Sequence, residues 1–189
     1  MKQPDIVERI KSGDSTVFSE IVASCKDMVY NTALGIVQGE EDAEDITQEV
    51  FIQVYESISQ FRKEAKLSTW IYRITISKAL DFEKKKRRQK NGGLLKRIFN
   101  EKSEDEPAHF DHPGIVLDKK ENAAVLFNAL NKLPEKQRIA FMLHKLEALN
   151  YQEIADVMKI SLMAVESLQV RAKNNLKNIL KKYYEQHFK

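Results

Sequence analysis

Apolar residues recur at intervals of three and four positions along most of this 189-residue chain. Ile46, Val50 and Val54 form one such series. The spacing places these side chains on one face of an α-helix, because successive helical turns bring every third or fourth residue to the same side. Only six glycines and four prolines interrupt the pattern. The sequence therefore predicts an all-α fold.

Residues that favour helix ends divide this periodic sequence into separate helices. Asp14 is the predicted N-cap of one helix, and Gly39 is predicted to end that helix. Ser68 or Thr69 is predicted to cap a later helix, and Pro134 suits the first position of another. The predicted helices cover residues 5–11, 18–36, 41–59, 68–90, 119–131, 151–158 and 162–184, with one more beginning at 134.

The stretch between residues 91 and 118 differs from the rest because its periodicity is poor. It contains an acidic run at 104–106 that ends in Pro107, and a His-Pro-Gly sequence at 112–114. Such composition predicts a flexible linker with one short helical turn at 94–99. We therefore expect two small helical domains, 1–90 and 119–189, joined by this linker.

Cysteine content and hydropathy both argue against an exported or membrane-spanning protein. The single cysteine, Cys25, has no partner for an internal disulfide. No apolar run reaches the roughly 18 residues of a membrane span, and the N-terminal residues lack the apolar core of a signal peptide. We expect a cytoplasmic protein that does not insert into a membrane.

The net charge of +3 is unevenly distributed along the chain. Residues 1–80 contain 9 basic and 13 acidic side chains, which gives −4. Residues 81–120 contain 11 basic and 8 acidic side chains, which gives +3. Residues 121–189 contain 11 basic and 7 acidic side chains, which gives +4. Because salt-dependent DNA affinity grows with the number of phosphates neutralised, so few cations predict weak DNA binding without a partner.

The segment from 151 to 168 has the pattern of a helix-turn-helix. Ala155 supplies the small residue that is needed where two short helices cross, and Ser161 can cap the second helix. Five apolar residues fall where such a motif buries them: Ile154, Met158, Ile160, Val165 and Leu168. An ordinary helical hairpin is the alternative interpretation of this spacing.

The second helix of this motif would present its outer face to a DNA major groove. The residues expected to contact DNA there are Ser161, Met163, Glu166, Ser167, Val170, Arg171 and Lys173. Further lysines follow at 177, 181 and 182, and a solvated basic helix face is the alternative for these cations.

Two parts of the chain resemble the sigma-70 family of RNA polymerase sigma factors. Residues 133–138 (LPEKQR), 151–155 (YQEIA) and 171–173 (RAK) resemble its C-terminal promoter-reading domain. Residues 42–51 (DAEDITQEVF) resemble its polymerase-docking segment, and 69–74 (TWIYRI), followed by Asp81 and a basic run at 84–90, resemble its promoter-melting segment. With no further folded domain between the two parts, the chain is identified as a member of the extracytoplasmic-function (ECF) group.

The resemblance implies that helix 41–59 binds the clamp helices of the beta-prime subunit. Acidic and amide side chains that point away from the apolar stripe can form charge-assisted bonds with basic partner groups. The expected polymerase-binding residues are Asp42, Asp45, Gln48, Glu49 and Ile52. A solvated acidic face is the alternative.

The resemblance also implies that loop 60–67 and the following helix hold the melted −10 element. Stacking faces together with cations hold a single strand. The expected −10-binding residues are Phe61, Arg62, Lys63, Lys66, Arg73, Lys78, Lys84, Arg87 and Arg88. Trp70 shares an apolar stripe with Ile74, so we expect it to be buried, and a wedge between DNA bases is the alternative.

By the same resemblance, the chain is an alternative sigma factor and not an enzyme, and it needs no cofactor or metal. Its implied partners are core RNA polymerase, contacted at the clamp helices and the beta flap, promoter DNA and an anti-sigma factor. The implied target is a stress or envelope-signal regulon.

The recognition helix departs from the family pattern at four positions. Glu166 and Leu168 stand where members often carry basic residues, and Met163-Ala164 replaces a usual Gly-Thr pair. We therefore expect an unusual −35 sequence, with Glu166 accepting a hydrogen bond from a cytosine amino group and Leu168 in the core.

Three other functions are open from the sequence. A helix-turn-helix regulator would bind operators alone, and a sigma-like adaptor would not melt DNA. An enzyme would need a reactive constellation, and the only metal-like group, His109 and His112 with Glu106 and Asp111, lies in the predicted linker.

Overall fold

The computed structural model describes residues 8, 9, 14, 16–92 and 120–187, and these residues contain helices, turns and no strand. The all-α prediction is confirmed. The helices are α1 (Thr16–Val37), α2 (Glu40–Ser57), α3 (Leu67–Gly92), α4 (Lys120–Asn131), α5 (Glu135–Lys145), α6 (Tyr151–Met158) and α7 (Leu162–His187), and a 3-10 turn covers Ile58–Gln60. Most of the predicted linker and of the predicted helix 5–11 lies outside the described residues, as does the predicted turn at 94–99.

Two of the predicted helix starts are wrong by one or two residues. Neither Ser68 nor Thr69 caps α3, because the helix begins at Leu67 and the Trp70 N–H already donates to the Lys66 carbonyl. Pro134 precedes α5 and is not its first residue, because its ψ of 139° is extended and helical geometry begins at Glu135.

Helices α1, α2 and α3 pack together as an N-terminal unit. Their apolar stripes meet in a core that includes Ala33, Ile46, Val50 and Ile71, each at most 1% exposed. The first turn of α2 carries three acidic residues, where the helix dipole stabilises negative charge. The apolar residues whose spacing predicted these helices are therefore the residues that the helices bury.

Helices α4 to α7 form a C-terminal unit in which α5 and α6 pack against α7. Ile139, Leu143, Ile154 and Val165 form the centre of its core, and each is at most 5% exposed. The unit thus buries the same face of the helix-turn-helix that the sequence predicts.

The two units pack directly against each other through α3. Its residue Tyr72 is 6% exposed and belongs to the core of the C-terminal unit, and Ile76 and Leu80 pack there as well. Helix α1 approaches α5 so closely at Gly35 that a methyl group there would overlap the terminal carbon of Met142. The described residues therefore form a single packed body, which the sequence does not predict.

The turn between α1 and α2 is stabilised from the other unit. Gln38 has a φ of 58°, in the left-handed region that a residue with a side chain rarely adopts. Its buried amide donates to the Phe127 carbonyl at 3.0 Å and accepts from the Asn131 amide at 2.7 Å. These two bonds fix the strained residue against α4.

No helix of the described residues is long and apolar enough to span a membrane.

A carboxyl group is buried where the two units meet. Tyr72 Oη donates to Glu147 Oε2 at 3.0 Å. Burial raises the pKa of Glu147 from its usual 4.5 to about 7, although the bond from Tyr72 partly opposes the shift. The same burial, with Glu147 nearby, raises the pKa of Tyr72. The packed arrangement therefore favours a protonated Glu147.

We predict that folding stability falls as the pH rises from 5 to 8. The unfolded chain loses the Glu147 proton near pH 4.5, whereas the folded chain keeps it until about pH 7. The free energy of unfolding should fall over this range by roughly 2–3 kcal/mol. Urea denaturation at both pH values should show this loss in the wild type and its absence in Glu147→Gln. Equal pH dependence in both proteins would contradict the assignment.

Candidate nucleic-acid interface

The first helix of the helix-turn-helix has a complete cap at each end. The Asn150 side chain accepts from the Glu153 N–H at 3.0 Å, and the Glu153 carboxylate accepts from the Asn150 N–H at 3.1 Å. This reciprocal capping box gives a hydrogen-bond acceptor to two N–H groups that have none within the helix. At the other end Lys159 takes a φ of 53°, and the Ile160 N–H returns to the Ala155 carbonyl. The turn between the helices is thereby fixed.

The predicted core of the motif is confirmed by burial. Ile154 and Val165 are fully buried and Ala155 is 4% exposed, while the remaining predicted members, Met158, Ile160 and Leu168, are half-buried against them. Ser161 Oγ accepts from the Ala164 N–H at 3.2 Å and caps α7, as predicted. Leu168 packs inward, so it is not available to DNA.

The outer face of α7 is open to solvent. Met163 is 77% exposed and Val170 is 59% exposed, with Glu166 and Ser167 exposed between them. Arg171 and Lys173 are exposed on the same helix, as is the capping residue Ser161. Leu162, which is not among the predicted DNA-binding residues, is 42% exposed at the start of the helix. This recognition face combines apolar, acidic and small polar side chains.

A small pocket of about 180 Å³ lies beside the start of α3. Its lining residues are Gln60, Phe61, Arg62, Glu64, Ala65, Trp70 and Arg73. Phe61 is only 8% exposed and packs against the half-buried Trp70, with ring centroids 5.4 Å apart. Phe61 is predicted from the sequence to offer a stacking face to the −10 strand, and in the structure its ring forms part of the pocket wall.

Trp70 separates this pocket from a larger groove of about 650 Å³ between α2 and α3. Lys78 and Lys85 line the groove, and Lys78 Nζ lies 3.2 Å from the Glu49 carboxylate. Groove and pocket together form a path along the N-terminal unit with an aromatic ring at its centre.

Seven of the eight predicted −10 cations divide into two groups, and the eighth, Lys78, lies in the groove beside Glu49. Arg62, Lys63, Lys84, Arg87 and Arg88 are exposed on the loop and on the far part of α3. Lys66 and Arg73 instead contact the C-terminal unit: Lys66 Nζ lies 3.1 Å from the Glu153 carboxylate, and Arg73 donates to carbonyls at the end of α6. The second group is thus bonded across the two units, whereas Lys63, Lys84 and Arg87 of the first group lie within 4 Å of the carboxylates of Glu8, Asp81 and Glu83.

The outward face of α2 carries the predicted polymerase-binding residues. Asp45, Gln48 and Glu49 are exposed, and Asp42 is paired with Lys86 at 2.5 Å. Ile52 is 58% exposed and is not isolated, because Tyr55, one turn later, is 66% exposed. Tyr55 is not among the residues predicted from the sequence, although its i+3 spacing from Ile52 indicates that the two side chains share a face. The face is therefore apolar at one end and acidic at the other.

Within residues 8, 9, 14, 16–92 and 120–187 no group of three potential metal ligands occurs. The possible ligands His109, His112, Glu106 and Asp111 all lie outside these residues.

Family comparisons match both units in order. Residues 21–89 match the model of sigma-70 region 2, and residues 124–176 match that of sigma-70 region 4. The ECF RNA polymerase sigma-E factor of Haemophilus influenzae is 30% identical over 177 residues, with 92% of each chain covered. The chain belongs to the sigma-70 family, in its ECF group. It is thus an alternative sigma factor, a protein that initiates transcription.

Other proteins share its sequence or its fold. The ECF sigma-E factor of Escherichia coli is 29% identical over 175 residues, which is 92% of this chain and 91% of that one. The structure of CnrH in complex with the cytosolic domain of CnrY gives a TM-score of 0.68 at 20% identity over 95% of this chain and 97% of that one. The structure of the sigma factor RpoE in complex with the anti-sigma factor NepR, from Bartonella quintana, gives a TM-score of 0.62 at 20% identity. The match covers 87% of this chain and 96% of that one. These structures show a common fold.

We predict that Ser161→Ala destabilises this sigma factor by about 1 kcal/mol, because the first turn of α7 loses its side-chain cap. Ser161→Asn keeps a capping oxygen and serves as the matched control. Urea unfolding of the three proteins measures the difference. If Asn destabilises as much as Ala, the bond to Ala164 is not the cause.

Proposed function

We propose that this sigma factor binds core RNA polymerase through α2, reads the −35 element with α7 and holds the melted −10 element along α3. The observation that carries the proposal is the order of surfaces on one chain: a docking face, an aromatic pocket flanked by cations, and an open recognition helix. Few phosphate-binding cations are present, so polymerase must hold both units on the promoter. The sigma factor has no catalytic role of its own and acts in the cytoplasm, where it serves a stress or envelope-signal regulon.

At the −35 element, the exposed stripe of α7 suits direct contact with base edges. Met163 and Val170 are apolar and lie two turns apart, so each can pack on a thymine methyl group in the major groove. Glu166 lies between them and can accept a hydrogen bond from a cytosine amino group. Ser161 and Ser167 donate to phosphates or bases, and Arg171 and Lys173 bind phosphates. This face predicts a site in which one cytosine lies among thymines.

At the −10 element, the pocket beside α3 suits one base that has left the stack. Trp70 and Phe61 supply apolar walls, and the guanidinium groups of Arg62 and Arg73 supply charge at the rim. The adjoining strand can follow the groove past Lys78, and duplex phosphates upstream can meet Lys84, Arg87 and Arg88. Extruding a base into this pocket would help to keep the promoter open.

Three partners are proposed on the basis of these surfaces and of the relatives. The acidic and apolar face of α2 fits the clamp helices of the beta-prime subunit, and the C-terminal unit fits the beta flap. An anti-sigma factor is proposed because two proteins of this fold are known in complexes, one with an anti-sigma factor and one with the cytosolic domain of CnrY.

We predict that Ile52→Asp weakens binding to core polymerase by about tenfold. The substitution removes an exposed apolar contact that only the complex buries, so it costs little folding stability. Ala23→Asp, on the exposed side of α1, is the matched control and should bind like the wild type. The affinity of each variant is measured with sigma-free core enzyme. The same mixtures are then assayed for run-off transcription on genomic DNA fragments.

Two results would contradict the proposal. The first is a wild-type chain that never associates with core polymerase. The second is tight, sequence-specific DNA binding in a gel shift without polymerase, which would favour a stand-alone helix-turn-helix regulator.

We predict that Glu166→Gln changes the base preferred at one −35 position. Loss of a cytosine contact should cost on the order of 1–3 kcal/mol of discrimination between cytosine and the other bases. In a library of −35 variants, one position should then tolerate other bases in place of cytosine. Glu185→Gln makes the same charge change near the far end of α7 and should leave the preference unchanged. A library profile for Glu166→Gln that equals the wild-type profile rules out this contact.

A further inference from the structure

A glutamine lies in the buried stripe of the recognition helix. Val165, Ala172 and Leu176 recur along α7 at helical spacing, and each is at most 5% exposed. Gln169 lies between Val165 and Ala172 in the same stripe and is 1% exposed. Burial of an amide is unfavourable unless hydrogen bonds replace those that it makes with water. The partners of Gln169 therefore decide what this side chain contributes.

The Gln169 amide forms one directed bond to helix α5. Its Nε2 donates to the Ala140 carbonyl at 2.7 Å. That carbonyl lies inside α5, where the N–H four residues later already binds it, so it has no need of a second donor. At the other end of the amide, Oε1 is buried and has no hydrogen-bond partner among the described residues. The net contribution of this amide to folding stability is therefore small or unfavourable.

The packing around Gln169 restricts the rotation of α7 only weakly. Its neighbours in the stripe, Val165 and Ala172, have small side chains, and apolar contacts have no preferred direction. Apolar cores that are altered in shape lose a single well-defined geometry before they lose stability. A hydrogen bond, in contrast, weakens steeply when its angle is distorted. The bond from Gln169 to Ala140 therefore restricts the rotation of α7 against α5 more than the packing does.

A second side-chain bond joins the same two helices. Asn175 Nδ2 donates to Gln137 Oε1 at 2.8 Å. Asn175 follows Gln169 by six residues, which is about 9 Å along the helix axis. Two directed bonds at separate points along one pair of helices fix the rotation of α7 and its crossing with α5.

The rotation of α7 determines which side-chain atoms reach the DNA. Met163, Glu166 and Val170 are exposed on the recognition face. Atoms at the surface of a helix lie about 5–6 Å from its axis, so a rotation of about 20° would displace them by about 2 Å. The lengths of hydrogen bonds vary by only about 0.5 Å, so this rotation would break a bond between Glu166 and a base edge. Base discrimination is therefore more sensitive to this angle than folding stability is.

We propose that Gln169 is a positioning residue for promoter recognition: its bond to α5 fixes the rotation of α7 at which Met163, Glu166 and Val170 face the −35 bases. The inference rests on the proposed reading of the −35 element by this face. Because Gln169 is buried, it acts on the DNA only through the position of the helix. Its amide contributes specificity for the promoter and little folding stability.

The test compares Gln169→Met with Leu176→Met in the full-length chain bound to core polymerase. Methionine has nearly the length of glutamine but does not bind the Ala140 carbonyl, which keeps its partner within α5. The urea midpoint of Gln169→Met should be no lower than that of the wild type. In run-off transcription from a library of −35 variants, its base discrimination should fall about tenfold at one or more positions. Leu176→Met changes a buried residue of the same stripe and should keep the wild-type profile.

A second replacement covers the case in which methionine packs poorly in place of Gln169. Gln169→Leu also removes the amide, but leucine has a different shape from methionine. If the amide bond is what positions α7, both replacements should relax the same −35 positions. Transcription from the preferred −35 sequence should be retained in both, because the recognition face itself is unchanged.

The proposal is overturned if both replacements of Gln169 keep the wild-type −35 profile. It is also overturned if discrimination and urea stability fall together in both, or if Leu176→Met relaxes the profile to the same extent. Either result would assign the effect to the packing of the core and not to the amide. A wild-type chain that transcribes with core polymerase but has no −35 preference would instead remove the proposed reading of the −35 element, so the two failures are distinguishable.

Discussion

The structure depends on helix α3 being buried against two partners at once. One face, with Ile71 and Ala79, completes the core of the N-terminal unit, while an adjacent face, with Tyr72 and Ile76, packs into the C-terminal unit. A helix with two apolar faces cannot satisfy both unless the two units meet. Separating the two units would expose one of these faces to water, which is unfavourable.

This packing also brings the two units together beside the proposed −10 site. Arg73 lies on α3 near its second apolar face, and α6 covers that face. The Arg73 guanidinium donates to the carbonyls of Asp156 and Val157 at the end of α6. The same side chain lines the pocket proposed to hold a −10 base, so this site lies at the edge of the contact between the units.

Much of the fold could be predicted from the sequence because it depends on local patterns. The bounds of α6 and the start of α7 agree with the prediction, since their caps and apolar spacing lie within a few residues of each other. The exposed recognition face follows from the same periodicity. The cap at Ser68 or Thr69 was wrong because the backbone of Lys66 begins the helix. The burial of Phe61 could not be predicted, because an aromatic residue in a loop carries no periodic signal of its burial.

The contacts between the two units could not be predicted for a physical reason. Arg138 and Glu83 are 55 residues apart, and Gln38 and Asn131 are 93 apart, so no local spacing connects either pair. Each of these side chains would be ordinary on a solvated helix surface. Glu147 is likewise an unremarkable loop residue until Tyr72 packs over it. Only the relative position of the helices shows that these residues form an interface.

The most direct test of the account is the distance between the two units in the free chain. Spin labels at Ala23→Cys and Lys177→Cys, both at exposed positions, in a Cys25→Ala background would report this distance by pulsed electron paramagnetic resonance. The account predicts one narrow distance, because α3 packs against both units. A broad distribution would contradict it.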